Sequence, residues 1–400
     1  NQDFKQFIVY NRQDTLLLDK LDKKLRFLDL ANELAHANTV LLATTMGAVA
    51  VTEQAIINEA HALGLVVPNR NRDEQFDTQA AGAYVAYPKK GIHEYIGAVD
   101  INSLYPSAIR ALNMAPETIV GQLRPIMTDR LIQENVASGM SFAEAWEGLF
   151  ACLEYTAVMN AEPGTEITID WHGGEESVHS AAEVWHLMFD SNQPWMISAN
   201  GTIFTYEKEG IIPGLLKRWY AERKEMQAKL KEAINAGNKI EEEYWDKRQL
   251  VKKINLNSLY GAILNPYCRF NDKRIGQSTT LSGRVIARHM NAFVNQCVTG
   301  DYNHTGNAII YADTDSCYFS AWPIVKAEVA SGSMEWDKDV CVKLYDAIAD
   351  QVNDSFPEFC REAFHTPQAN GELIRCGREL VASKGLYITK KRYAVLIYDL

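Results

Sequence analysis

The spacing of apolar residues changes along the chain and predicts both helices and strands. Leucines recur with helical periodicity over 16–28, which predicts an amphipathic helix near the N-terminus. The stretches 215–236 and 239–263 are rich in Lys, Glu, Leu and Ala and are joined by a Gly-Asn pair, which predicts an antiparallel helical hairpin. A further helix is predicted over 340–352.

Short apolar runs between these helices predict strands at 83–87, 95–100, 307–319 and 385–398. Residues 69–78 are polar and charged, which is typical of a linker. From 124 to 200 the pattern is mixed and predicts short helices with a turn at the pair Gly173 and Gly174. The fold class predicted for the chain is therefore α+β.

Length and composition set the class of protein. The 400 residues exceed one ordinary domain and predict two or three lobes. A content of 47% hydrophobic and 23% charged residues is that of a globular protein and excludes disordered and collagen-like classes. No apolar run reaches the length that spans a membrane. The seven cysteines form no CxxC pair, which indicates a reducing compartment with thiols that fill the core.

The charge of the chain is unevenly distributed. The formal net charge of -11 points away from nucleic acid when it is considered alone. However, 215–288 holds 16 Lys and Arg against 8 Asp and Glu, and 375–392 holds 6 against 1. An acidic body with two basic segments would steer a polyanion to one surface. Helix faces with paired charges at i and i+4 are the alternative.

The first motif that carries chemistry is Asp100 at the end of an apolar strand, followed by a turn and a helix. A carboxylate at a sheet edge can bind a divalent cation together with several waters. A single Asp at the end of a strand is more often a helix cap, and that alternative stays open.

The second motif is the run Tyr-Ala-Asp-Thr-Asp-Ser over 311–316, with apolar residues on both sides. The flanking residues place Asp313 and Asp315 at the tip of a hairpin between buried strands. Carboxylates this close repel each other unless a cation or a proton intervenes. The run lacks the Gly and Glu that a calcium-binding loop needs, whereas a solvated turn remains an alternative.

The third motif lies on the second helix of the predicted hairpin. Lys253, Asn257 and Tyr260 follow one another at i, i+4 and i+7 and therefore share a face. The first helix adds Arg218, Arg223 and Lys224. This combination suits a polyphosphate, because Lys offers a point charge and Arg a two-pronged donor. A solvated helix surface is the alternative, and it is favoured for Arg218 and Lys224.

In this order, the three motifs resemble motifs A, B and C of the family B (α-type) DNA polymerases. Lys390, Lys391, Arg392 and Tyr393 resemble the Lys-x-Tyr motif that family members place against the primer-template duplex. The run 113–119 is similar to the replicative polymerases of tailed bacteriophages. The resemblance implies a palm with a mainly antiparallel sheet flanked by helices, and a two-helix fingers subdomain.

The resemblance also implies the roles of individual residues. Asp100 and Asp315 would bind two Mg²⁺ ions, or Mn²⁺ in their place, with Ile101 as a further ligand and Asp313 as a weaker one. In this mechanism, two ions about 4 Å apart activate the primer 3'-hydroxyl and neutralise the departing pyrophosphate. Tyr105 would lie under the incoming sugar and exclude a 2'-hydroxyl.

The remaining implied sites bind substrates. Nucleotide binding is expected at Arg223, Lys253, Asn257, Tyr260, Tyr105, Ser103 and Leu104. DNA binding is expected at Lys390, Lys391, Arg392, Tyr393 and Gly261. Family members usually carry a basic residue where this chain has Gln227, so nucleotide affinity is expected to be lower unless Lys224 or Lys229 compensates.

The N-terminal segment resembles the last motif of the family's 3'-5' exonuclease through Tyr10 and Asp14. No Asp-x-Glu that would supply further metal ligands occurs in the chain, so proofreading is not expected. The expected organisation is the C-terminal tail of an exonuclease domain (1–26), a remnant of the N-terminal domain or linker (27–71), the palm (72–209 and 266–400) and the fingers (210–265). A thumb is not expected.

The function predicted from these residues is a DNA polymerase core in phage replication. It would act in the host cytoplasm on primer-template DNA and deoxynucleoside triphosphates, with a sliding clamp as partner and no membrane. Two alternatives remain: a non-catalytic DNA-binding module of polymerase shape, and a fragment that binds nucleotide but extends primers poorly.

Overall fold

The computed structural model describes residues 3–69, 82–124, 134, 137–139 and 162–400. The α-helices in this part are α1 (Phe4–Leu25), α2 (Phe27–Asn38), α3 (Ala48–Ala62), α4 (Leu104–Ala111), α5 (Ala181–Trp185), α6 (Ile211–Asn235), α7 (Lys239–Leu264), α8 (Lys273–Thr299), α9 (Trp322–Ala330), α10 (Lys338–Phe364) and α11 (Gln368–Gly371). The strands are β1 (Gly91–Ile101), β2 (Ile119–Arg124), β3 (Glu166–Trp171), β4 (Glu176–Ser180), β5 (Trp195–Ile197), β6 (Thr202–Thr205), β7 (Ile309–Asp313), β8 (Ser316–Phe319), β9 (Cys376–Thr389) and β10 (Arg392–Asp399). This mixture confirms the α+β class.

The chain divides into two compact units. The first takes residues up to 74 together with 215–271, and the second takes 75–214 together with 272–400. None of the described helices is both long and apolar enough to cross a bilayer.

The first unit contains the predicted helical hairpin. The start of α6 lies in the second unit, but from Leu215 onward α6 runs antiparallel to α7. Three side-chain contacts show this direction: the Lys229 ammonium lies 4.5 Å from the Trp245 ring, Arg223 donates to Gln249 at 3.4 Å, and Lys252 pairs with Glu222 at 2.5 Å. The turn between the helices uses a glycine at a φ of 67°, a left-handed conformation that suits glycine.

The other helices of the first unit differ in burial. The side-chain amides of Asn38 on α2 and Asn255 on α7 are buried and exchange two hydrogen bonds, at 3.1 and 3.3 Å. This pairing satisfies polar groups that would otherwise lose water without compensation. α1 is the predicted N-terminal helix, and it begins earlier than predicted because Asp3 accepts a hydrogen bond from the Gln6 amide. α1 buries none of its side chains.

The second unit is built around an antiparallel sheet with the strand order β10-β9-β1-β8-β7. The predicted strands over 95–100, 307–319 and 385–398 are confirmed as parts of this sheet. A Cβ atom on Gly97 of β1 would lie 2.6 Å from the Tyr345 ring, so glycine there lets α10 pack closely on the sheet. Asn353 of α10 also exchanges two hydrogen bonds with the backbone of Cys376 on β9, at 2.7 and 2.9 Å.

A second antiparallel sheet, with the order β4-β3-β2-β6-β5, belongs to the same unit. The prediction of short helices between 124 and 200 missed this sheet, because its strands are only three to six residues long. Short helical segments do occur among the described residues of this range, for example α5 and one π-helical turn. The predicted turn at Gly173 and Gly174 is confirmed and joins β3 to β4.

The prediction of a strand over 83–87 is wrong. This segment forms only an isolated bridge between Val85 and Asp313. Two backbone hydrogen bonds join the segment to β7 and to the turn after it. The Ala86 amide donates to the Ala312 carbonyl, and the Thr314 amide donates to the Tyr84 carbonyl. Within this run only Tyr84 is buried, and the run forms no continuous ladder. Most of the predicted linker over 69–78 lies outside the described residues.

A buried histidine makes the stability of the second unit depend on pH. Both ring nitrogens of His289 on α8 are hydrogen-bonded at 2.8 Å, one to Tyr302 and the other to Ser355. Burial lowers the pKa of His289 to about 3. The unfolded chain takes up this proton near its ordinary pKa of about 6.5, whereas the folded chain does not. His289 therefore stabilises the folded chain fully above the unfolded-state pKa of about 6.5. This stabilisation is lost as pH falls toward 3.

We expect the free energy of unfolding to fall by about 1.4 kcal/mol per pH unit below pH 6 because of His289 alone. Urea unfolding of the wild type and of His289→Gln between pH 7 and pH 4.5 measures this slope. Subtraction of the slope of the variant from that of the wild type removes the contribution of the carboxylates, because both proteins contain the same carboxylates. The exposed His172→Gln variant is the control and should keep the wild-type slope. Equal slopes in the wild type and His289→Gln would contradict the assignment.

Candidate active site

Two carboxylates meet where strands of the first sheet end. Asp100 lies near the end of β1, opposite Ser316 of β8. Asp315 lies in the turn between β7 and β8, and its carbonyl oxygen accepts a hydrogen bond from the Ile101 amide at 2.8 Å. Thr314 in this turn adopts a left-handed φ of 60°. The register of the strands therefore fixes both acids at one edge of the sheet.

Electrostatics favour a cation between these two groups. Burial raises the pKa of Asp100 to about 7, and the charges of Asp315 and Glu379 act in the same direction. Burial also raises the pKa of Asp315, with Asp313 and Glu379 adding to the shift and Lys391 opposing it. Without a nearby positive charge, ionisation of all these carboxylates is unfavourable in free energy.

Asp313 is held differently from its two neighbours. The Lys391 ammonium lies 3.0 Å from one of its carboxylate oxygens. The Tyr311 hydroxyl donates to Asp313 at 3.1 Å, and the Thr314 hydroxyl donates at 3.0 Å. With one cation and two hydroxyl donors already present, Asp313 is less available to a metal ion than Asp100 or Asp315.

The donor set fits magnesium better than a metal enclosed by protein ligands. In the part of the chain that the structure describes, no group of three or more His, Cys, Asp or Glu side chains converges closely enough to hold a metal. Mg²⁺ prefers carboxylate oxygens, keeps several waters and takes further ligands from substrate phosphates. Asp100 and Asp315 supply such an open site. The Ile101 amide fixes the loop that carries Asp315, and a ligand from Ile101 itself stays a prediction.

Glu379 belongs to this acidic group and was missed from the sequence. It lies on β9, the strand that pairs with β1 next to Asp100. Its charge contributes to the raised pKa of both Asp100 and Asp315. A single Glu in a strand has no motif of its own, so only the pairing of β9 with β1 reveals it.

The turn after Asp100 leads into α4. Ser103 is the N-cap residue of α4, with a left-handed φ of 53°. The alternative that Asp100 caps this helix is therefore wrong. Leu104 is buried at the first position of α4. A Cβ atom on Gly283 of α8 would lie 3.1 Å from the Tyr105 ring. Glycine at this position thus allows the ring to lie close to α8, a role that the sequence did not indicate.

The motif of four residues near the C-terminus spans the turn between β9 and β10, with Lys390 and Lys391 in the turn and Arg392 and Tyr393 at the start of β10. The Lys391 amide donates to the Tyr311 hydroxyl at 2.9 Å. The Tyr393 hydroxyl lies 2.7 Å from that of Tyr318. Lys390 lies over the Tyr87 ring at 4.1 Å, and Arg392 is exposed. Tyr393 and Lys391 therefore connect the motif directly to the hairpin of Asp313 and Asp315.

The third motif lies in the first unit. Lys253, Asn257 and Gly261 are exposed on α7, and Tyr260 is half-buried. The opposite face of α7 buries Val251, Asn255 and Ala262. The predicted shared face is thus confirmed as the exposed face of a packed helix.

The basic residues of α6 differ in burial and in their partners. Arg223 is half-buried, and burial lowers its pKa. Gln227, one turn further along α6, is also half-buried. Arg218 forms an ion pair with Glu59 of α3, which supports a structural role for Arg218. Lys224 is exposed.

The two residues of the exonuclease-like motif lie on α1. Tyr10 and Asp14 are both exposed and one helical turn apart. They share a face of the helix, as the spacing predicts.

Comparison with known proteins relates the chain to DNA polymerases. The model of DNA polymerase family B matches residues 38–349. The chain is 23% identical to the DNA-directed DNA polymerase of Enterobacteria phage T4 and 26% identical to that of Escherichia phage RB69, over 99% of this chain and 44% of each polymerase. It is also 26% identical to DNA polymerase 2 of Aeropyrum pernix, over 73% of this chain and 27% of that protein. The chain thus spans less than half of the length of these relatives.

Proposed function

The chain belongs to DNA polymerase family B, and we propose that it carries the nucleotidyl-transfer centre of a DNA-directed DNA polymerase. The observation that carries the proposal is the meeting of Asp100 and Asp315 at one sheet edge, with the pKa of both raised. Divalent cations would relieve their repulsion, and substrate phosphates would complete the coordination.

The residues of the second unit would act as follows. Asp100 and Asp315 would hold the cations, and the bound cations would favour the ionised form of both carboxyl groups against the effect of burial. The cations, when bound, would lower the pKa of the primer 3'-hydroxyl and stabilise the charge on the leaving pyrophosphate. Lys391 neutralises Asp313, which keeps a third negative charge from opposing the phosphates. The incoming nucleotide would lose pyrophosphate as the 3'-oxygen bonds to its α-phosphorus.

The exposed face of α7 would bind the triphosphate. Lys253 contributes a charge on a flexible stem, and Arg223 contributes a planar guanidinium that Gln249 orients at 3.4 Å. Asn257 and Tyr260 would support this contact. Lys390, Arg392 and Gly261 are proposed to lie against the DNA. The two Mg²⁺ ions, the inactive exonuclease and the clamp partner stay predictions.

A direct experiment separates this function from a DNA-binding module. The chain is mixed with a primer-template duplex at saturating concentration and with the matching deoxynucleoside triphosphate. Mg²⁺-dependent addition of one nucleotide is the expected result. Calorimetry of the same triphosphate with and without Mg²⁺ is the companion measurement. Binding of DNA with neither metal-dependent nucleotide binding nor incorporation would support the non-catalytic module instead.

Tyr105 gives a test of sugar selection. We expect Tyr105→Ala to raise the use of ribonucleotides relative to deoxynucleotides about tenfold, because space opens where a 2'-hydroxyl would lie. Single-nucleotide incorporation with both substrates measures the ratio. Tyr267→Ala, at an exposed tyrosine of the first unit, is the control. An unchanged ratio in Tyr105→Ala would remove the proposed gate.

A further inference from the structure

A groove in the second unit lies away from the carboxylates of the proposed catalytic centre. It runs between α8 and α10 and has a volume of about 790 Å³. This volume is in the range of sites that bind small organic molecules. The residues of the active site described above do not line it.

The walls of the groove are apolar and aromatic. His289 and Phe359 stack at a centroid distance of 3.9 Å with their planes only 9° apart. Phe293, Val285 and Ala363 extend this surface. His289 is fixed by its two hydrogen bonds, so the aromatic wall is formed before any ligand arrives. Such a wall binds methylene groups by burial and cations through the faces of its rings.

The rim of the groove is acidic along one helix. Asp354, Glu358 and Glu362 succeed one another at i, i+4 and i+8 on α10 and are all exposed. The helical rise separates successive members by about 6 Å. Among the described residues that line the groove there is no Lys or Arg. The groove therefore disfavours anions and attracts cations.

The spacing of the acids selects the kind of cation. In the described part of the chain, no three acidic or His side chains are close enough to hold one metal ion. A compact ion could therefore satisfy only part of the rim. A flexible chain of ammonium groups separated by methylene spacers would place a charge near each carboxylate and its carbons on the aromatic wall.

We propose that the groove binds a linear polyamine. One existing ion pair would be exchanged: Arg361 donates a hydrogen bond to each carboxylate oxygen of Glu358, one of them at 3.0 Å. Both partners of that ion pair are exposed, so solvent screens their attraction. An ammonium group of the ligand would replace the guanidinium at Glu358. Arg361 thus competes with the ligand for Glu358. Removal of this positive charge is therefore expected to strengthen binding of the ligand.

Calorimetry of the full chain with spermine, in the absence of nucleic acid, tests the proposal. We expect one binding event that Glu358→Gln with Glu362→Gln weakens at least tenfold. Arg361→Gln should strengthen the same event severalfold. Glu328→Gln, at an exposed acid on α9 outside the groove, is the matched charge control and should leave the affinity unchanged.

Two further measurements make the test decisive. Hexaamminecobalt(III), a compact trivalent cation, should bind at least tenfold more weakly than spermine, because it cannot reach several carboxylates at once. Phe359→Leu should weaken spermine while leaving the charge of the rim intact. Equal affinity in the double Gln variant and the wild type would overturn the proposal. So would equal binding of the compact cation, or binding of a basic peptide with no binding of spermine. These results do not depend on nucleotidyl transfer.

Discussion

Asp315→Asn is expected to lower the rate of single-nucleotide incorporation about a thousandfold. Asn keeps the shape of the side chain but removes the negative charge that holds a cation, and metal stabilisation of this kind is worth several kcal/mol. Each 1.4 kcal/mol is about a factor of ten in rate. The loss should appear in kcat, because Asp315 would act on the reacting groups. Rapid-quench kinetics at saturating DNA and nucleotide measures it.

The control for this prediction is Asp301→Asn, which removes an exposed charge from the same unit. It should incorporate nucleotide at the wild-type rate. Asp315→Asn itself should fold at least as stably as the wild type, because a buried, repelled carboxylate is replaced by a neutral amide. Thermal unfolding checks this point. Incorporation at the wild-type rate by folded Asp315→Asn would exclude Asp315 as a metal ligand.

The second large effect is expected at Lys253. Lys253→Met keeps an extended side chain but removes the ammonium, and a hydrogen bond to a charged group is worth about 1.5–3 kcal/mol. We therefore expect kcat/KM for the deoxynucleoside triphosphate to fall about 10- to 100-fold, with the affinity for DNA unchanged. Steady-state incorporation at varied nucleotide concentration gives both constants.

Lys231→Met removes an exposed lysine from the other helix of the same hairpin and is the matched control. It should keep kcat/KM within twofold of the wild type. If both variants lose the same small amount, the effect of Lys253 comes from the general basic charge of the hairpin. In that case the specific triphosphate contact is wrong.

Local periodicity was sufficient to predict the elements whose residues interact with near neighbours in sequence. The hairpin of α6 and α7 follows from helical spacing and a Gly-Asn junction. The placement of Asp313 and Asp315 at a hairpin tip follows from the apolar residues on each side. In both cases the hydrogen bonds that form the element close within a few residues, so the pattern contains the necessary information.

Pairing between distant segments could not be predicted in the same way. The apolar run over 83–87 has the composition of a strand, but it forms a single bridge on the outer side of β7. The second sheet was missed because strands of three to six residues carry too little periodicity. Glu379 was missed because a single acid in a strand has no sequence motif. Its place near Asp100 follows only from the pairing of β9 with β1.

The sequence by itself determined which residues are the candidates for the chemistry: two acidic motifs, a basic helix face and the turn that contains Lys391. Only the tertiary structure decided how they combine within the second unit. It set Asp100 beside the Asp315 loop, paired Asp313 with Lys391 in a salt bridge and placed Tyr105 against Gly283. The physical reason is that strand register and helix packing join segments far apart in sequence. Those contacts depend on the shapes of both partners, which no local pattern contains.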